Sequence, residues 1–189
     1  MIEKSISNRY IISDLHIGHK NIHRHRKTYE GTAEDHWNLA LEGLMSVPKK
    51  ATLFLLGDIA FSKEHLSSIG KIPCRNKVLI CGNHDTENKI TMQDISEVYD
   101  QVYSLQKYKG FWQQHSPIHS SELRGFRQVH GHTHYNLMLD DNGNIDRRYI
   151  NTCVEYTGYT PIPWEYAISD EYTQGCKKLW TDYKNRGII

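Results

Sequence analysis

The sequence predicts an α/β protein built on a parallel sheet, and three observations carry that expectation. Apolar runs of strand length recur, and each ends at a short polar motif. Helix-like segments separate these runs, and the second half of the chain shifts to shorter segments with mixed faces. In order, Tyr10-Ile11-Ile12-Ser13 leads into Asp14, residues 51–56 lead into Gly57-Asp58, and residues 77–81 lead into Gly82-Asn83. Continuous apolar runs of this length suit strands buried on both faces. Thr32 with Asp35 makes an imperfect capping box; Trp37, Leu41, Leu44 and Met45 then repeat at helical spacing, and Pro48 stops the segment. Residues 62–69 read as a second, shorter helix. Strand, helix, strand, helix, strand implies right-handed crossovers in a parallel sheet. Residues 101–105, 110–112 and 126–130 read as short strands. Asp140-Asp141-Asn142-Gly143-Asn144 is a hairpin turn signal, because Asn-Gly tolerates positive φ, and residues 148–151 read as the returning strand. A second, more antiparallel sheet packed on the first is therefore expected. The tail 175–189 is polar and is expected to pack loosely.

At 189 residues the chain is long enough for one well-packed domain, taken as 1–189 with its core over about 9–170. Hydrophobic content of 38% and charge of 24% argue against disorder, and a net charge of +1 demands neither nucleic acid nor membrane as a partner. The first five residues have no apolar core behind their charges, so no leader is expected, and no stretch approaches the roughly 20 apolar residues of a membrane span. Cys74, Cys81, Cys153 and Cys176 lack the spacing of a structural zinc site and read as free thiols in a cytoplasmic-type compartment.

The chemistry lies in motifs spread over more than half the chain: Asp14-Leu15-His16, Gly57-Asp58, Gly82-Asn83-His84-Asp85, His115-Ser116-Pro117 and Gly131-His132-Thr133-His134. Asp14 and His16, two apart on extended backbone, face the same way and can reach one metal. Asp58 follows a glycine that permits a sharp turn and is a candidate to bridge two ions. Asn83 offers an oxygen, His84 an acid or base beside the metals, and Asp85 a carboxylate to orient it. His115 and His119 flank Pro117, and either can ligate. His132 and His134 share one face of an extended segment. Three of the motifs follow predicted parallel strands, where ligands bind in open α/β sheets. Mixed imidazole, carboxylate and amide ligation suits Mn, Fe, Zn, Ni or Co rather than Mg or Ca and does not choose among them; Mn is the ion expected first.

In this order the motifs resemble the calcineurin-like metallophosphoesterase family, over roughly residues 9–160. The strings Ile12-Ser13-Asp14-Leu15-His16-Ile17-Gly18-His19-Lys20-Asn21-Ile22 and His115-Ser116-Pro117-Ile118-His119 look like its compact, single-domain bacterial and bacteriophage members. The resemblance implies a four-layer α-β-β-α sandwich with two mixed β-sheets face to face. It implies two divalent ions, one on Asp14, His16 and His134, the other on Asn83, His115 and His132, with Asp58 between them. It implies His84 as catalytic histidine with Asp85 as its partner. The chain departs from the pattern at Phe61, where many members carry an acidic residue or Asn, and at Cys153, where relatives often have Gly.

The expected activity is hydrolysis of a phosphate ester by a hydroxide that bridges the ions, with His84 donating a proton to the leaving oxygen. A phosphodiester or nucleotide-type substrate is favoured over a small-molecule or protein phosphomonoester, and a non-catalytic scaffold of the same fold stands behind both. His19 and Asn21, just after the first motif, are candidates to contact substrate. The run 19–27 is basic and could attract a nucleotide or nucleic acid, and Tyr29, Tyr135 and Tyr156 could stack on a base.

Overall fold

Alternation along the central strands shows how the core is divided. The chain is described from residue 8 to 189 by a computed structural model; the reading of the first five residues lies outside the described residues. The elements run β1 (Arg9–Ile12), α1 (Ala33–Met45), β2 (Thr52–Leu55), α2 (Lys63–Gly70), β3 (Asn76–Ile80), α3 (Met92–Val98) and β4 (Gln101–Tyr103). These are followed by β5 (Leu105–Tyr108), β6 (Phe111–Gln114), β7 (Arg127–His130), β8 (Tyr149–Asn151), α4 (Val154–Thr157), β9 (Ile162–Pro163), α5 (Trp164–Ala167) and α6 (Asp170–Asn185). One sheet has the order β4-β3-β2-β1-β9, parallel except for β9. Within it, Ile12, Leu53, Leu55 and Leu79 join the apolar cluster that holds α1, α2 and α3, while Ile11, Phe54, Val78 and Ile80 join the cluster facing the second sheet. Side chains alternate across a strand, so an unbroken apolar run is what burial on both faces requires.

The second sheet has the order β5-β6-β7-β8. Here the structure corrects the expectation of a mainly antiparallel arrangement. β5 and β6 form an antiparallel pair, but β6, β7 and β8 are mutually parallel. The Asn-Gly turn does form, yet the hairpin it closes extends only to the Leu139–Ile145 bridge. Asp146 N–H then bonds Met138 O, and the chain enters β8 at the same end as β7, where Gln128 N–H bonds Arg148 O. Both sheets are thus mixed, and helices, sheet, sheet and helix stack in that order, the α/β sandwich expected.

The tail also differs from expectation. Tyr172, Cys176 and Tyr183 form a buried stripe at helical spacing on α6, and Ile188 is buried beyond its end. The hydroxyls of Tyr172 and Tyr183 donate to Asn151 O and Glu155 O, both at 2.7 Å. A stripe this narrow leaves the segment polar on average, which is why composition alone misreads it.

Thr32 caps α1 with both arms of the box in place: its hydroxyl accepts from Asp35 N–H while the Asp35 carboxylate accepts from Thr32 N–H. α2 starts at the Ser62 cap. The face of α1 that is buried runs through His36, Ala40, Gly43 and Leu44, while Met45 is exposed. His36 packs edge-on against Tyr29 and Tyr159, and neither ring nitrogen has a hydrogen-bond partner among the described residues. Burial, followed by the charge of Arg26, pulls its pKa down to about 3. A lowered folded-state pKa supplies stability that is present above the unfolded value near 6.5 and lost as the pH falls. His36→Leu is therefore expected to reduce the loss of unfolding free energy between pH 6.5 and 4.5 by roughly 2–3 kcal/mol. Urea titrations at the two pH values measure this; an unchanged loss would show that His36 is not buried neutral.

Candidate metal centre

Parallel pairing does not stop at the strand ends. Beyond β1 and β2 the backbone continues with Asp14 N–H to Gly57 O at 3.0 Å, His16 N–H to Asp58 O at 2.9 Å and Ile17 N–H to Ile59 O at 2.9 Å. The two sheets are joined at the same level by Ser13 N–H to Thr152 O, and within the second sheet Gly131 N–H to His115 O carries the β6–β7 pairing on in the same way. Asp14 follows β1, Asp58 follows β2, His84 follows β3, His115 follows β6, His132 and His134 follow β7, and Glu155 follows β8. All come from the carboxyl ends of parallel strands, the place where open α/β sheets collect ligands. The unexpected parallel pairing of β6, β7 and β8 is what brings the second-half residues there.

The backbone bends sharply to aim them. Asp14, His16, Asp58, His132 and His134 all have φ between 48° and 67°, a left-handed conformation that is strained for residues with a side chain and persists where surrounding contacts enforce it. Glycines make the approach possible. A Cβ at Gly131 would stand 2.3 Å from Asp14 Oδ2, and one at Gly82 would stand 2.2 Å from Asp58 Oδ1.

Three groups of ligand-type atoms result among the described residues, with the atoms of each within 4.8 Å of one another: Asp14–His16–His134 and Asp58–His115–His132, which face each other across Asp58, and His134–Cys153–Glu155 behind the first. Asp14 Oδ2 accepts from His132 N–H at 2.9 Å, leaving Oδ1 turned to the Nε2 atoms of His16 and His134, each 3.7 Å away. Asp58 Oδ1 accepts from His84 N–H at 2.9 Å. Its Oδ2 lies 3.2 Å from His115 Nε2, 3.8 Å from His16 Nε2 and 4.0 Å from His84 Nε2, so one oxygen faces the first two groups. Separations of 3.7–3.8 Å are too long for hydrogen bonds. They are of the size of an edge between ligands each about 2.0–2.2 Å from a shared cation. Asp14 Oδ1 and His16 Nε2 are buried with no hydrogen-bond partner among the described residues. Unpaired buried polar atoms of this kind are costly, and oxygen and imidazole donors aimed at one point suit divalent cations. The residues present therefore fit two such ions.

Electrostatics agree. Burial alone would raise Asp14, but His16, His134 and His115 hold its carboxyl well below the usual range. Asp58 is likewise lowered, by its contact with His115 against the effect of burial. Burial pulls His16 down to about 4, so its ring is neutral at physiological pH. Burial also works against charge on His115, but Asp58 and Asp14 outweigh it and push the imidazole up to about 9. His115 Nδ1–H donates to Leu56 O at 2.7 Å, so the added proton sits at Nε2, between the ring and Asp58. It occupies the position where a bound cation would serve the same carboxylate.

Several expected residues stand elsewhere. The carboxylate of Asp85 is engaged by the backbone N–H groups of Asp58, Ile59 and Gly82 at 2.7–3.0 Å. It staples the loop after β3 to the loop after β2 and does not orient His84. The carboxylate beside His84 is that of Glu87, 2.9 Å from Nδ1. Asn83 is exposed on the loop between Gly82 and His84. His119 is exposed and caps a 3-10 turn through Ser121, away from the cluster. His19 lines the cavity beside the cluster, whereas Asn21 is exposed at the start of a 3-10 turn. Tyr156 is buried and donates to Tyr135 O, so it cannot stack on a base.

Sequence reasoning missed what stands behind the ligands. Arg26, read as part of an exposed basic run, is buried; it forms an ion pair with buried Glu155 and donates to Asp14 O. Glu155 Oε1 lies 3.1 Å from His134 Nδ1, the partner that fixes a ligating imidazole with Nε2 free for metal. Nδ1 is also 2.6 Å from Arg26 Nη1. The ring cannot accept from Arg26 and donate to Glu155 at once, and the raised pKa of His134, which burial opposes and Glu155 more than restores, favours donation to Glu155. Phe61 lies nearly parallel to His16, with centroids 5.1 Å apart, and close to His84 at 5.3 Å. Cys153 Sγ, fully buried, lies 3.2 Å from Asp14 Oδ2.

A cavity of about 370 Å³ opens beside the cluster, with His16, His84 and His134 on its inner side and Ile22, Phe61 and Tyr135 as apolar lining. Neither the segment 88–100 nor 116–125 lines it.

No family model matches the chain. It is 28% identical over 187 residues to a Mycobacterium phage L5 protein described as Gene 66 protein, covering 81% of this chain and 89% of that protein. Among solved structures it is similar to a protein of unknown function, AQ665 from Aquifex aeolicus, with a TM-score of 0.61 and 24% identity over 82% of this chain and 94% of that one. That likeness establishes a shared fold. The nuclease MPE of Pseudomonas putida aligns with a TM-score of 0.44 and 22% identity over 68% of this chain and 61% of that one, a level that carries no functional argument.

Because Gly82 and Gly131 leave room for the carboxylates, Gly131→Ala is expected to weaken divalent-ion binding at least tenfold, the effect expected of a disturbed supporting residue. Calorimetric titration of metal-stripped protein with Mn²⁺ tests this. Unchanged affinity in a folded variant would place the ions elsewhere.

Proposed function

We propose that the chain is a single-domain hydrolase that cleaves phosphate esters with two divalent ions, Mn²⁺ first among them, acting on phosphodiesters or nucleotide-type esters. The observation that carries this reading is Asp58 Oδ2, a buried carboxylate oxygen facing an imidazole of each of the two ligand groups it joins and also His84. Asp14, His16 and His134 would hold one ion, His115 and His132 the other, and Asp58 both. When bound, the ions supply Lewis acidity toward the phosphate oxygens and the attacking water. The protein does the remainder. Asp14 and Asp58 keep their charge at neutral pH, and the strained loops hold the donors in place without reorganisation. His84 is half-buried, not a member of any of these groups, and borders the cavity, which suits a proton donor to the leaving oxygen. Glu87 stands at its Nδ1 and Phe61 along its face, limiting how the ring can turn. Free cysteines agree with a reducing, cytoplasmic setting, and no described helix is long and apolar enough to cross a membrane.

Hydrolysis of bis-p-nitrophenyl phosphate beside p-nitrophenyl phosphate, with Mn²⁺ added to metal-stripped protein, tests the activity and its class. Faster diester cleavage is expected, and silence on both esters would sink the reading. His84→Ala is expected to lower kcat by roughly 10²–10⁴-fold while keeping the bound ions, whereas Asp58→Asn should lose ions and activity together. Phe61→Ala should lower kcat more than it raises KM, since its ring positions His84 and His16 rather than holding substrate by charge. Full activity in His84→Ala would remove that residue from the mechanism.

A further inference from the structure

The outer part of the cavity is the one portion of the site that the hydrolytic chemistry does not use. Its lining contains no carboxylate. Beyond the inner histidines and the apolar side it is formed by His19, His25, Arg26 and Lys27, all from one segment that follows the first motif. The rings step outward from the ligand cluster: His16 to His19 is 6.3 Å between centroids, and His19 to His25 is 5.2 Å, edge to face. The segment is anchored at its far end. Arg26 is committed to Glu155 and to Asp14 O, so its charge is already compensated. Lys27 Nζ donates to Ile188 O, a neutral carbonyl that places the ammonium without neutralising it. Thr28 N–H bonds the hydroxyl of Tyr135, which joins the apolar side of the same cavity. The result is a row of N–H donors and a cation, Lys27, with no carboxylate partner among the described residues, starting a single ring-to-ring step from the ligand groups and sharing the cavity with Phe61, Ile22 and Tyr135. Field lines in a cleft of one sign concentrate an anion, and apolar or aromatic walls take a sugar or base.

We infer that this outer cavity is a subsite for a second phosphate, so that the preferred substrate is a nucleotide-type ester carrying a further phosphate group one nucleoside away from the scissile one. A lone phosphate would be satisfied at the two divalent ions and leave the His19–His25–Lys27 row unused. A nucleoside between two phosphates spans from one to the other and covers the apolar side between them. The chemistry is shared by a free nucleoside bisphosphate and by the strand of an oligonucleotide. This inference rests on the phosphoesterase reading above and narrows its substrate.

The test compares two chromogenic esters that differ only in the second phosphate: thymidine 5′-(p-nitrophenyl phosphate) and its 3′-phosphorylated form, with bis-p-nitrophenyl phosphate as the control for the underlying activity. A preference in kcat/KM of roughly tenfold or more for the 3′-phosphorylated ester is expected, about what one charge-assisted hydrogen bond supplies. In Lys27→Met and in His25→Gln the ratio should fall toward unity. His25 is exposed and has no tie to the tail, so its variant keeps the test open if Lys27→Met fails to fold. Equal rates on the two nucleoside esters with bis-p-nitrophenyl phosphate still cleaved overturn the subsite and leave the hydrolase standing. If none of the esters is cleaved, calorimetry with thymidine 3′,5′-bisphosphate and thymidine 5′-monophosphate decides: tighter binding of the bisphosphate that is lost in His25→Gln supports the subsite, and equal binding overturns it. A dinucleotide added to the comparison separates the sources, since inhibition by it at concentrations where the bisphosphate is weak indicates a strand rather than a free nucleotide.

Discussion

Two carboxylates with almost no access to water, Asp14 and Asp58, govern the arrangement of everything around them. An ionised carboxylate taken out of water costs several kcal/mol unless it is paired and hydrogen-bonded. Each here spends one oxygen on a backbone N–H, from His132 and His84 respectively, and turns the other toward imidazoles. This single constraint explains why the loops beyond the strands continue the parallel pairing, why glycines stand where a methyl group would collide with a carboxylate, and why non-glycine residues accept left-handed backbone. The strain is concentrated where it positions charge, and the sheets beneath supply the packing that sustains it.

The second layer of the site is itself a buried charge pair. Arg26 and Glu155 lie between the ligands and the tail: Arg26 touches Asp14 O, Glu155 addresses His134, and the Glu155 carbonyl accepts from Tyr183 on α6. A buried pair of this kind is weak evidence for stability; its geometry instead ties the orientation of one imidazole to the packing of the last helix. Lys27, next in sequence, is joined to the carbonyl of Ile188. The basic segment and the C-terminal helix therefore form one support. The segment serves two purposes: Arg26 braces the ligands from behind, and His19, His25, Arg26 and Lys27 line the cavity.

Much of this was legible in the residues alone. Strand positions followed from apolar runs, because both faces of β1, β2 and β3 are buried, and helix starts followed from Thr32 and Ser62. The gathering of Asp14, His16, Asp58, His115, His132 and His134 was anticipated by motif order. What escaped was decided by tertiary context. The parallel course of β8 depends on where a loop re-enters the sheet, which a turn signal at residues 140–144 does not encode. The burial of α6 rests on three residues in a polar stretch. Arg26 and Glu155 are 129 positions apart, and nothing in either neighbourhood marks them as partners. Asp85 looked like the partner of His84 because it is adjacent in sequence, yet neighbours on a turn diverge, and its carboxylate was claimed by backbone N–H groups.

The same logic accounts for Phe61. An acid at that position would add a third carboxylate beside Asp58 in a space already shared with His16 and His84, raising the demand for counter-charge. An aromatic ring removes that demand and packs against both imidazoles, nearly parallel to His16. The carboxylate facing His84 comes instead from Glu87, on the same loop as the histidine and half-exposed to water. The partner of Nδ1 thus stands on the solvent side of the ring, Asp58 Oδ2 faces Nε2 from the buried side, and the cavity lining itself carries no carboxylate. On the function proposed above, an anionic substrate approaching His84 would meet no carboxylate on the cavity lining, the condition that a proton donor at the leaving oxygen and an anion-binding cavity would both require.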